Sequence, residues 1–122
     1  MTQRPLAELE TQLGYKFADQ SLLQQALTHA SFSGPTASYE RLEFLGDRVL
    51  GLLLAHYFYD HCPDDNEGAL SLRLHSEART ETLAKVARKL NIADFLQTQP
   101  GMRSTDNDNV LADVMESLLA AI

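Results

Sequence analysis

Glu40, Glu43 and Asp47 stand three and four residues apart, and a second acidic pair, Asp113 and Glu116, recurs at i, i+3 spacing much later in the chain. At about 100° per residue the first three fall within roughly 60° of one another, so a helix would carry them as one stripe. No Lys or Arg follows any of them at i+4, where it would neutralise a carboxylate along the same face, and Arg48 alone comes near. Carboxylates crowded together without cations must be protonated, paired or metal-bound. If the two helices face each other, five acids converge. Oxygen-only ligands, with no clustered cysteine or histidine, suit a hard cation such as Mg²⁺ or Mn²⁺ better than zinc. The bland alternative is that each acid simply faces water, as acidic pairs on helices commonly do.

Helices must hold these acids, and the apolar periodicity is helical nearly throughout, without strict alternation anywhere, which predicts an all-α domain. Leu6, Leu9 and Leu13 recur at helical spacing before Gly14, which can end that helix in a left-handed conformation. Asp19 can cap a second helix carrying Leu22, Leu23, Ala26 and Leu27. The stretch from Ser31 to Ser38, with its Gly34-Pro35 pair, reads as a loop. A long helix is expected from near Tyr39 to about Tyr59, closed by Cys62-Pro63 and the polar Asp64, Asp65 and Asn66. Leu42, Leu45, Val49, Leu52 and Leu53 form its expected core stripe opposite the acids. Phe44, Gly51, Leu54 and Ala55 lie beside them. From Val49 to Ala55 there is no charge, which predicts a helix buried in the domain centre. Another helix spans roughly Glu67 to Ala78, with Thr80 a plausible cap for the next, in which Leu83, Val86, Ala87 and Leu90 keep helical spacing. After a short turn at Asp94 to Leu96 and a polar loop, the last helix starts at about Asn109. It places Leu111, Met115, Leu118, Leu119 and Ile122 on one side and Asp113 and Glu116 on the other. No cap, Gly or Pro follows it, so the sequence reads as a domain that continues beyond Ile122.

With 122 residues, 44% hydrophobic and 22% charged, the chain fits one globular domain. It lacks the roughly 20 consecutive apolar residues of a membrane-spanning helix and the apolar core of a secretory signal, so a cytoplasmic protein is expected. Cys62 is the only cysteine, which excludes an internal disulfide framework and suits a reducing compartment. Ten Lys and Arg against 17 Asp and Glu leave a net charge of -7, which argues against a simple basic nucleic-acid clamp. Any anionic substrate would need cations as intermediaries. His56, His61 and Cys62 lack a fourth zinc ligand at ordinary spacing. His29 reads as a structural hydrogen-bonder, and Lys85, Arg88 and Lys89 as a solvated basic stripe with phosphate contact as the alternative.

The run Glu40-Arg41-Leu42-Glu43-Phe44-Leu45-Gly46-Asp47-Arg48 resembles the signature motif of the ribonuclease III endonuclease domain at every position. Ala26-Leu27-Thr28-His29 with Ser31 is similar to an early segment of that family. Glu67-Gly68 resembles its acidic turn, and Leu111-Ala112-Asp113 with Glu116 its second catalytic block. The resemblance spans about Leu6 to Ile122 and implies a ribonuclease III helical bundle. It further implies that Glu43, Asp47, Asp113 and Glu116 hold divalent metal, Mg²⁺ with Mn²⁺ as substitute, and that Asp47 and Glu116 are catalytic. Glu40 and Glu67 would help from the rim of the same acidic valley. It also implies a homodimer packed through Phe44 and the signature helix. Each subunit would cut one strand of double-stranded RNA in rRNA and mRNA processing, leaving 5′-phosphate and 3′-hydroxyl ends with two-nucleotide 3′ overhangs.

Three features depart from the family pattern. Leu74-His75-Ser76-Glu77-Ala78 puts a histidine and an acid where the pattern is apolar or basic. The loop Gly101 to Asn109 is short and lacks a Gly-Gly element. The family's endonuclease domain continues past the equivalent of Ile122, and its C-terminal double-stranded-RNA-binding domain is not in this sequence. Two competing functions remain open at this point: a catalytically silent relative that binds RNA or serves as structure, and a helical interaction domain whose acidic stripe meets a basic partner.

Overall fold

A computed structural model of the chain describes residues 4–33, 37–99 and 107–122. Seven α-helices make up the described part: α1 (Leu6–Leu13), α2 (Gln20–Ala26), α3 (Ala30–Ser33), α4 (Glu40–His61), α5 (Glu67–Glu77), α6 (Thr80–Lys89) and α7 (Asp108–Ala121), with a 3₁₀ turn at Ile92–Phe95. The all-α expectation holds, and none of these helices is long and apolar enough to cross a membrane. The Gly34-Pro35 pair and residues 101–106 of the short loop lie outside the described residues.

Local chemistry sets most helix ends. Gly14 takes φ 68° and closes α1, while the Asp19 carboxylate accepts from the amides of Ser21 and Leu22 at the start of α2. Asn66 and Asn107 do the same for α5 and α7, accepting from Ala69 and Val110. Thr80 is not a cap. Arg79, in extended conformation, holds that position without a side-chain bond, and Thr80 is already the first helical residue. α4 runs to His61, two residues past the expected end. The segment read as a loop contains the short α3, and the turn near Asp94 is the 3₁₀ turn, entered through Asn91 at φ 53°. His75 and Glu77, in the atypical segment, are exposed on the last turn of α5 and disturb no packing.

Burial on α4 is the reverse of the expectation, whereas α7 buries Leu111 and Leu118 of its expected stripe. The centre of the domain is α7, whose Val110, Leu111, Ala112, Val114, Ser117, Leu118 and Ala121 are all buried. Small residues let α4, α6 and α2 approach it from several sides. On α4, Gly46 is the only buried residue, and of the expected core stripe Leu45, Leu52 and Leu53 are half or more exposed. The physical reason is that α4 gives one side to α7 and α5, and no described element of this chain covers the other. Leu9, Leu23, Leu27, Ile92 and Phe95 complete the core around α7. Ser117 pins α2 to it, its buried hydroxyl donating to the carbonyl of Ala26 at 2.6 Å.

Candidate metal centre

Gly46 sets how closely α4 and α7 cross. A Cβ at that position would fall on the backbone carbonyl of Glu116, so only glycine lets the helices meet there. That contact brings Glu43, one turn before Gly46, and Asp47, the residue after it, against Asp113 and Glu116. Glu40, Glu43, Asp47, Asp113 and Glu116 line one cleft of about 530 Å³, together with His29, Tyr39 and Phe44. Oxygens of Glu43, Asp113 and Glu116 all lie within 4.8 Å of one another, the one such group of potential metal ligands among the described residues. His56, His61 and Cys62 form none: His61 Nδ1 bonds the Tyr57 carbonyl and its ring stacks on Tyr57. Glu67 is not brought to the cleft. From Asp47, the last α4 residue of the cleft, the helix runs on to His61, about 21 Å at 1.5 Å per residue, before α5 begins, and Glu67 stands exposed at that far end.

The electrostatics follow from this crowding. Partial burial pushes the Glu116 carboxyl up to about 8, helped by a hydrogen bond with Asp47 and by the charges of Asp47, Glu43 and Asp113. Glu43 is pushed up to about 7, first by burial and then by Asp113. Asp113 is raised by burial, while its bond with Glu43 and the nearby His29 ring pull the other way. Burial and the negative charges of Asp113, Glu43 and Glu40 also keep Tyr39 a phenol. Asp47 finds a cation in Arg48, at 2.8 Å, on the exposed side. Without a counter-ion, then, Glu43 and Glu116 hold protons near neutral pH. Hard oxygen donors at this spacing, short of positive charge, fit a divalent cation. Tyr39 and Ser117 were not marked by the sequence pattern. Tyr39 is seated by its amide bond to the Thr28 carbonyl, a contact no local pattern announces.

A family profile described as Ribonuclease-III-like matches residues 19–122. The chain belongs to that family. It is 47% identical over 120 residues to Ribonuclease 3 of Rhizobium meliloti (strain 1021), covering 95% of this chain and 50% of that protein. To Ribonuclease 3 of Brucella canis it is 43% identical over 118 residues, covering 93% and 48%. The chain thus spans about half the length of the curated relatives it matches. In three dimensions it is similar to the nuclease domain of ribonuclease III from Campylobacter jejuni, with a TM-score of 0.92, 35% identity, and coverage of 96% of this chain and 83% of that one. That structure is described as showing flexibility in a region involved in dimer formation. The match covers both α4 and α7, the helices whose crossing carries the acids.

Proposed function

We propose that this chain is the endonuclease domain of a divalent-metal-dependent ribonuclease III that hydrolyses double-stranded RNA. The observation that carries the reading is the convergence of five carboxylates from α4 and α7 on one cleft, with three of them close enough to share an ion. Bound divalent cations, Mg²⁺ or Mn²⁺, would supply activation of water and stabilisation of the leaving 3′ oxygen. Glu43, Asp113, Glu116 and Asp47 would hold them, giving up the protons that partial burial and the neighbouring charges place on Glu43 and Glu116. Glu40, exposed at the first turn of α4, orients water or RNA from the rim. Tyr39 stays protonated and so remains a neutral donor beside the acids. No side chain need act as nucleophile. The products expected are 5′-phosphate and 3′-hydroxyl ends with two-nucleotide 3′ overhangs.

Two copies would be needed to cut both strands, and the surface of α4 supports a homodimer. Leu45, Leu52 and Tyr59 recur every seven residues on its uncovered side, with Leu52 71% and Tyr59 72% exposed. Phe44, 69% exposed, stands between the acidic cleft and an apolar hollow lined by Leu22, Leu42 and Leu45. An apolar row of this kind on a monomer is unfavourable in water and favourable between subunits. The test is incubation with long double-stranded RNA and Mg²⁺ against an EDTA control, with end analysis of the products. Cleavage that EDTA abolishes supports the reading, whereas tight metal-free binding without cleavage favours the silent relative. Binding to a basic protein with neither favours the interaction domain.

A further inference from the structure

His29 is read from the sequence as a structural hydrogen-bonder, and its surroundings give the ring a second task. The segment around it is tied down from a distance. Thr28 and Gln97 form a parallel bridge, the His29 amide donates to the Gln97 carbonyl at 2.9 Å, and the Gln97 amide donates to the Leu27 carbonyl at 2.9 Å. The ring itself packs edge-on against Tyr39, with centroids 5.7 Å apart. Its Nδ1 is occupied: the Ser31 amide donates to it at 3.0 Å, and the Ser31 hydroxyl lies 2.8 Å away. That hydroxyl oxygen also accepts from the Gln99 amide at 3.1 Å. An amide can donate only to a bare ring nitrogen, so the proton of the neutral ring sits on Nε2, the opposite edge.

His29 borders the acidic cleft, and no described residue makes a hydrogen bond with Nε2. Among the cleft's lining side chains, five are acids, Phe44 has no polar atom and Tyr39 is a phenol, so His29 is the single nitrogen donor there. Asp113 is the acid on which the His29 ring acts, favouring the ionised form. Oxygens of Asp113, Glu43 and Glu116 lie within 4.8 Å of one another, close enough to share an ion. A carboxylate that would give one oxygen to a cation keeps its orientation when its other oxygen accepts from a fixed donor.

We propose that His29 is a positioning residue whose Nε2–H donates to the Asp113 carboxylate and holds it in the orientation of a metal ligand. The inference rests on the metal-centre reading above, and the experiment separates the two. His29→Asn keeps an acceptor near Nδ1 for the Ser31 amide and has nothing at Nε2; His29→Gln can place its amide NH₂ near Nε2. Mn²⁺ binding to RNA-free protein is followed by electron paramagnetic resonance, alongside melting curves and ¹⁵N spectra of the imidazole. His29→Asn should melt within about 2 °C of the parent yet bind Mn²⁺ roughly 10–100-fold more weakly, while His29→Gln stays within about threefold of the parent. The parent spectrum should show the proton on Nε2. Parent-like Mn²⁺ affinity in His29→Asn, an equal loss in both variants, or a proton on Nδ1 overturns the inference. If His29→Asn fails to fold, the His29→Gln affinity and the tautomer decide it. A parent that binds no Mn²⁺ sinks the metal-centre reading as well.

Discussion

Replacing Gly46 with alanine adds one methyl group where α4 meets α7, and the obstacle is the backbone of Glu116 rather than a side chain that could swing aside. To restore an ordinary carbon–oxygen separation of about 3.3–3.6 Å, the helices must part by on the order of 1 Å or more. Overpacking of this kind costs about 1–3 kcal/mol and more when the neighbour is rigid, and here both helices are fixed by the core. Alanine's better helix propensity returns about 1 kcal/mol. The expected net loss is about 2 kcal/mol, or roughly 6–12 °C in melting temperature for a domain of this size. Gly51 supplies the control, because it lies on the same helix with nothing within 4 Å of the added Cβ. Gly51→Ala should gain the propensity term alone and melt up to about 3–6 °C above the parent. Both variants are to be melted without metal and at high dilution. Gly46→Ala should also weaken Mn²⁺ binding, since Glu43 and Asp47 move away from Asp113 and Glu116. A Gly46→Ala protein that melts with or above Gly51→Ala would falsify the close-crossing argument.

Glu116→Gln keeps the shape and is neutral at every pH, so the metal-free protein should melt close to the parent near neutral pH and above it once the pH exceeds about 8, where the parent's Glu116 ionises. Its single-turnover cleavage with Mg²⁺ should fall by on the order of a hundredfold, and a parental rate would remove Glu116 from the metal site. Glu43 and Glu116 titrate higher in the folded protein than their ordinary 4.5, so their protonated forms stabilise the fold at low pH and that contribution is lost as pH rises through about 7 and 8. Melting temperature without metal should therefore decline between pH 5 and 9, and saturating Mg²⁺ should flatten the decline; an equally steep slope with metal contradicts the assignment. Phe44→Asp should shift sedimentation toward monomer with little change in the monomer's far-ultraviolet circular dichroism, and an unchanged dimer would place the interface elsewhere.

Sequence was most informative where chemistry is local. Gly14 and Asp19 act on residues within a few positions of themselves, the one ending α1 and the other starting α2 as expected. The acids were legible as stripes because helix geometry alone puts Glu40, Glu43 and Asp47 together, although nothing local says that α7 lies opposite. The destination of the apolar stripe on α4 was not legible. Periodicity separates an apolar side from a polar one, but it cannot tell a side that meets the chain's own core from one left uncovered, and Leu45 and Leu52 belong to the second kind. Gly46 stood inside the motif without a visible purpose, since its role depends on a carbonyl some seventy residues away. Glu67 could be counted as an acid, but placing it required the full run of α4.

The helix at the heart of the core is also the last of the described elements to be made. Ribosomes add about 5–20 residues per second, so the roughly seventy residues from Glu43 to Glu116 take on the order of 4–15 s to appear. During that interval α1, α2 and α6 have no common surface on which to settle, because each buries its apolar side in a core organised around α7. Half of the acidic cleft exists, and its other half does not. A nascent chain of this design cannot complete the acidic cleft beside the RNA-rich machine that is making it, and the cleft forms only when α7 clears the exit and closes the core. Such a chain also spends those seconds with its apolar residues uncovered, the period in which a chaperone at the tunnel mouth would matter most.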